Sequence, residues 1–295
     1  MGVGTRLSVL GQTKKAAGFD GIPELWYRVQ IPGGQRGWIY GAYTLPLNPE
    51  QLGDSLRHLA RQRLEAGGLD FLDFQDLCLF LRREAFSVRD PSLAAELELQ
   101  SYRALRKSLE AVPFRQSGRS PYREWLQSET LRIIYNSPAG AWIIHSASLW
   151  DLQKRYSSLP IAEEIAWEAA TNQLAGECEG YLPCYLYRLN SMEGRYLGLY
   201  PNGAHAGQAM ESLLHELWRL NRETGQPVAG CPASDALDGW MSIDSIDPKD
   251  FPTLRKDLAS LRAAVAATSE PPRDDVLRLL DSLWERIRES SDAQR

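Results

Sequence analysis

Alternation of polar and apolar positions marks residues 5–45 as β-structure. Thr5-Arg6-Leu7-Ser8-Val9-Leu10 alternates and stops at Gly11, as a half-buried strand ending in a turn does. Trp26, Arg28 and Gln30 alternate with Tyr27, Val29 and Ile31 in the same way. Pro32-Gly33-Gly34 combines a fixed φ with two residues free to take positive φ, which is hairpin chemistry, and Gly37-Trp38-Ile39-Tyr40 resumes the strand. The expectation is a short, aromatic-rich meander. Pro46-Leu47-Asn48-Pro49 suits neither helix nor ladder and closes the module, placing a domain boundary there.

Beyond that boundary the period changes to helical. Asp54 is positioned to cap a helix with Leu56, Leu59, Ala60 and Leu64 on one face, ended by Gly67-Gly68. Asp70 opens a second, through Leu81, with Phe71, Phe74, Leu77, Cys78 and Leu81 as its stripe. A third spans 92–112 and stops at Pro113, and the short connections predict three antiparallel helices. Cys78 reads as a small buried hydrophobe.

The stretch 131–145 interrupts the helices. Leu131-Arg132-Ile133-Ile134-Tyr135 and Ala141-Trp142-Ile143-Ile144-His145 flank Asn136-Ser137-Pro138-Ala139-Gly140, a turn by composition, and predict a β-hairpin. A two-stranded hairpin is marginal alone. Its expected support is the N-terminal sheet. The competing support is a helix capped by Ser148 and running through Trp150, Leu152 and Tyr156.

From Pro160 onward paired helices are expected: one marked by Ile161, Ile165 and Trp167, then 184–189, 204–220, and, after a loop over 224–248, 251–267 and 272–290.

Three motifs in order, Gly4-Thr5-Arg6-Leu7-Ser8-Val9-Leu10-Gly11, Trp26-Tyr27-Arg28-Val29 and Gly37-Trp38-Ile39-Tyr40-Gly41-Ala42-Tyr43, resemble the bacterial SH3 (SH3b) domain over residues 4–45. That family normally begins with a further strand and loop, for which Met1-Gly2-Val3 leaves no room. Either the reading frame is truncated or another segment supplies the strand. The resemblance implies a small β-barrel that grips cell-wall peptide or serves as a docking domain. A second, single-copy similarity, Tyr196-Leu197-Gly198-Leu199-Tyr200-Pro201-Asn202-Gly203-Ala204-His205-Ala206-Gly207-Gln208-Ala209, is to tetratricopeptide-like repeats of cell-envelope assembly proteins.

With 295 residues and 43% hydrophobic content, the chain can bury one or two cores. A net charge of −5 argues against a general nucleic-acid binder, and no nucleic acid is expected. No apolar run reaches the roughly 20 residues that span a bilayer, so no transmembrane segment is expected. Cys178 and Cys184 are separated by Gly180 and Pro183, a turn that brings two cysteines within disulfide reach. A disulfide there implies an oxidising, periplasmic or cell-envelope setting, although two reduced, partly buried thiols are the competing reading. The spacing is not a metal signature.

Catalytic patterns are missing from the sequence. His58, His145, His205 and His215 are scattered, and none sits in a nucleophile elbow. Ser146 follows His145 on a strand, so the two point to opposite faces. Glu163-Glu164 and Asp274-Asp275 fall at helix starts, where acidic residues complement the dipole as a solvated first turn. Neither a dinucleotide fingerprint nor a phosphate loop occurs. No active site, no cofactor and no metal are therefore expected.

The reading is an α+β chain: an SH3b-like barrel over 1–47 and an α-helical domain over 50–295, tetratricopeptide-like in 160–223. Function rests on the aromatic module, with Tyr27, Trp38, Tyr40 and Tyr43 as ligand-binding residues for peptidoglycan peptide or a protein partner. Of these, Tyr27, Tyr40 and Tyr43 are expected to be partly exposed on one face, while Trp26 and Trp38 compete as barrel core. The alternatives are a cytoplasmic helical-repeat adaptor and an accessory region of a cell-wall hydrolase.

Overall fold

The computed structural model describes residues 2–19, 22–45, 51–224, 243 and 246–293. The expected boundary at 46–49 lies outside the described residues, as does nearly all of the expected loop at 224–248. The chain divides into two compact units, Met1–Thr130 and Leu131–Arg295. It is mixed in class, mostly helical with small antiparallel sheets.

In the first unit, strands β1 (Ser8–Gln12), β4 (Trp26–Gln30) and β5 (Arg36–Tyr40) form a three-stranded sheet in the order β1-β4-β5. Strands β2 (Ala17–Phe19) and β3 (Ile22–Glu24) pair separately. Gly33 and Gly34 turn the β4–β5 hairpin with φ of 97° and 87°, a region an L side chain resists. A bulge between Val9 and Gly11 shifts the β1–β4 register.

Helices α1 (Leu52–Glu65), α2 (Phe71–Ser87), α3 (Pro91–Glu110) and α4 (Tyr122–Ser128) complete this unit. Asp54 is not the cap of α1, which begins earlier at Leu52 and holds Asp54 in its first turn. Asp70 caps α2 as expected, with a reciprocal capping box to Asp73, but the helix continues past Leu81 to Ser87. Asp90 caps α3 and Pro91 takes its first turn, where a missing N–H costs nothing. The three-residue connection folds α2 and α3 into a helical hairpin whose core includes Leu77, Leu81, Leu97 and Leu105, with Cys78 buried beside them.

The second unit begins with the predicted hairpin, β6 (Ile133–Asn136) paired with β7 (Ala141–Ile144) as a sheet of its own. Among the described residues it pairs with no strand of the N-terminal sheet. Its hydrogen bonds run instead to the segment after α6 (Ala162–Ala170): Asn172 Nδ2 donates to Ile144 O at 2.9 Å and Gly176 N donates to Asn136 Oδ1 at 3.1 Å. Helix α5 (Ser146–Arg155) starts two residues before Ser148, whose hydroxyl donates back to His145 O at 2.7 Å. Ser148 is therefore inside the helix and does not cap it.

Helix α7 (Leu182–Leu189) passes through a π-turn (Asn190–Gly194) into α8 (Arg195–Leu199), so 182–199 is one continuous helix, longer than the 184–189 expected. Helices α9 (Ala206–Glu223), α10 (Phe251–Ala266) and α11 (Arg273–Ala293) match the remaining periodic segments within a few residues at their ends. Helix α10 packs on α7, the π-turn and α8, while α11 packs on α9 and α10.

Candidate functional site

The β4–β5 register decides which aromatics share a face. Trp26 pairs with Tyr40, Arg28 with Trp38 and Gln30 with Arg36, while Tyr27 pairs with Ile39. Side chains alternate along a strand, so Tyr27 lies on the opposite face from Trp38 and Tyr40. The expectation that Tyr27, Tyr40 and Tyr43 are partly exposed on one face is overturned. Tyr40 is only 3% exposed, and its hydroxyl donates to Ala17 O at 3.1 Å. Its ring packs between Trp26, at 5.3 Å, and Tyr43, edge-on at 5.8 Å.

Trp38 is not core either. It is 55% exposed, and Tyr43, just beyond the strand, is 57% exposed. Exposed Arg28 lies directly across the ladder from Trp38. A ring and a guanidinium side by side suit a ligand that stacks and carries an acceptor.

The cysteines predicted to pair do so: Cys178 and Cys184 are joined, with S–S 2.00 Å and Cα atoms 5.4 Å apart. Cys184 also lines a cleft of about 940 Å³ in the second unit, which sequence reasoning missed. Ile134 and Ile144 of the hairpin, Trp150 of α5, the π-turn and the alanines of α10 form its walls. The π-turn supplies Asn190, Ser191 and Gly194 directly, consistent with the frequent placement of such turns at functional sites. These residues come from elements far apart in sequence. Their one local signal is the spacing of Ser191, Gly194 and Gly198, small residues on one helical face.

Two arginines reach the cleft. Arg188 Nη2 donates to the carbonyls of Ala175 and Gly176 at 3.1 and 2.6 Å. Arg195 lies over the Trp150 ring at 4.2 Å. Arg195 is exposed overall, and partial desolvation of its guanidinium lowers its pKa from the usual arginine value, opposed by the charge of Asp151.

Glu163 and Glu164 do occupy the first turn of α6, but neither is simply solvated. Glu163 Oε1 accepts from Tyr196 Oη at 2.9 Å and from the backbone N–H of Ala204. Glu164 Oε2 meets His205 Nε2 at 3.1 Å, and the imidazole stacks on Trp167 at 4.8 Å. The residues of the tetratricopeptide-like wording, 196–209, form the end of α8, a turn and the start of α9, pinned to α6 by these contacts.

Among the described residues no helix is long and apolar enough to cross a membrane. No protein-family model, curated protein or solved structure matches the chain.

Proposed function

We propose that this chain is a non-catalytic binding protein of the bacterial cell envelope, whose N-terminal SH3b-like module takes cell-wall peptide or a protein partner on the face of Trp38, Arg28 and Tyr43. The observation that carries this reading is the exposure of Trp38 opposite Arg28, beside a buried Tyr40 that anchors the strand. Exposed aromatics contribute more to a contact than to a core, and tryptophan, tyrosine and arginine dominate binding hot spots. The three SH3b-like motifs fall on β1, β4 and β5, the three strands of one sheet, which supports treating them as one module. The Cys178–Cys184 disulfide supports an oxidising, periplasmic setting.

The test is retention on purified peptidoglycan by the full chain, by Trp38→Ala and by Tyr43→Ala, with circular dichroism as the folding control and cell-wall turnover assayed alongside. Retention of the parent with loss in folded variants supports the reading. No retention of the parent removes the cell-wall ligand, and measurable turnover removes the non-catalytic role.

A further inference from the structure

We infer that the cleft of the second unit binds a small monocarboxylate with an aliphatic body, its head on Arg195 and its chain along the small-residue strip where α10 faces the π-turn and α8. This goes beyond the N-terminal reading and does not depend on it.

The space has a specific origin. At Gly194 the missing side chain admits α10 so closely that a Cβ there would lie 2.7 Å from Leu261 Cδ1. One turn later, at Gly198, the nearest atom to such a Cβ is Ala264 Cβ at 3.9 Å. The approach therefore relaxes from a tight one to ordinary contact distance, and the small side chains of Ala263, Ala264 and Ala267 form this side of the cleft. The resulting cleft of about 940 Å³ falls within the roughly 300–1,000 Å³ typical of small-molecule sites. Its walls are mixed, and Ile134, Ile144, Trp150 and Leu174 are among the apolar residues that suit an aliphatic body.

Charge selects the head. Arg188 and Arg195 line the cleft against one carboxylate, Glu177. Arg188 is committed to two backbone carbonyls. Arg195 has its guanidinium carbon 4.2 Å from the centre of the Trp150 ring, and among the described residues it makes no hydrogen bond or salt bridge, Asp151 acting on it only through its charge. Its N–H groups are thus available to an incoming group, and the guanidinium fork matches a carboxylate in a bidentate pair. Glu177 at the wall and Asp151 nearby disfavour a dianion, so a singly charged head fits better than a phosphate.

Calorimetric titration of the full chain with decanoate, decyl phosphate, decylamine and acetate tests this. Saturable one-site binding of decanoate is expected, with acetate and decylamine weaker by about tenfold or more, the worth of one charge-assisted contact or of the buried chain. Arg195→Ala, by losing the head contact, and Gly198→Leu, by placing a side chain on the cleft wall, should each weaken decanoate by about tenfold or more with unchanged circular dichroism. The proposal is overturned if decanoate gives no saturable binding, if decylamine or decyl phosphate binds as tightly, or if a folded variant binds like the parent. Should Arg195→Ala fail to fold, Gly198→Leu and the ligand series decide.

Discussion

Tyr196 Oη donates to Glu163 Oε1 at 2.9 Å across 33 positions of sequence, and the Tyr196 side chain is fully buried. Burial pushes its hydroxyl above the usual tyrosine range, so it remains a donor throughout the ordinary pH range. The same carboxylate oxygen takes the N–H of Ala204, so one side chain joins α6, α8 and the turn before α9. Glu163→Ala should cost about 1.5–3 kcal/mol, the range for hydrogen bonds to a charged acceptor, because it strands a buried hydroxyl. Thermal unfolding checks this, at roughly 2–4 °C per kcal/mol for a unit of this size. An unchanged melting temperature would mean that the turn is held by its other contacts.

Leu99 lies fully buried within α3, inside the helical hairpin. Leu99→Pro removes a backbone hydrogen bond, sets a ring against the preceding turn and empties a packed site, for a loss of about 3 kcal/mol or more. Denaturant unfolding of the parent and the variant measures the difference. Equal midpoints would contradict a packed helix over 91–110.

The Cys178–Cys184 bridge closes a short loop beside the cleft, with a sequence separation of 6. Chain-entropy arguments assign so short a loop about 2 kcal/mol. A reductant should therefore lower the melting temperature of the parent and leave a Cys178→Ala/Cys184→Ala variant unmoved. Alkylation followed by mass analysis should show the pair blocked until reduction. Free labelling of both thiols without reductant would remove the bridge and the compartment argument with it.

Glu193 of the π-turn is half-buried, and its Oε1 accepts from Ser212 Oγ of α9 at 2.7 Å. Burial raises its pKa above the usual glutamate value of 4.5, and the charge of Glu216 adds to the rise while Ser212 opposes it. The folded state thus holds the proton more tightly than the unfolded chain. Its contribution to stability is full below the unfolded value and is lost as pH rises through the raised one. Glu193→Gln keeps an acceptor for Ser212 and removes the charge, so its melting temperature should exceed the parent's at about pH 7 and converge with it at about pH 4. A gain of the same size at both values would contradict the shift.

Much of the fold was legible because its signals are local. The stripe of Phe71, Phe74, Leu77, Cys78 and Leu81 is a property of helical period, and Asp70 caps through its own neighbours, so neither needs a tertiary partner to be read. Gly33 and Gly34 announced their turn because only the chain's own φ is at stake. The disulfide was legible for the same reason, since the turn at Gly180 and Pro183 sets the distance between Cys178 and Cys184.

What the sequence determined on its own was therefore period, turn and short-range geometry. Only the tertiary structure decided coverage. Alternation placed Trp38 and Tyr40 on one face of β5, but packing buried Tyr40 against Trp26 and Ala17 and left Trp38 open. Helical spacing put Gly194 and Gly198 on one side of a helix, but it was the arrival of α10, with Leu261 against one and Ala264 beside the other, that made them a wall of the cleft. Periodicity is carried by a side chain and its neighbours along the chain, whereas burial depends on which distant element arrives, and no local signal contains that.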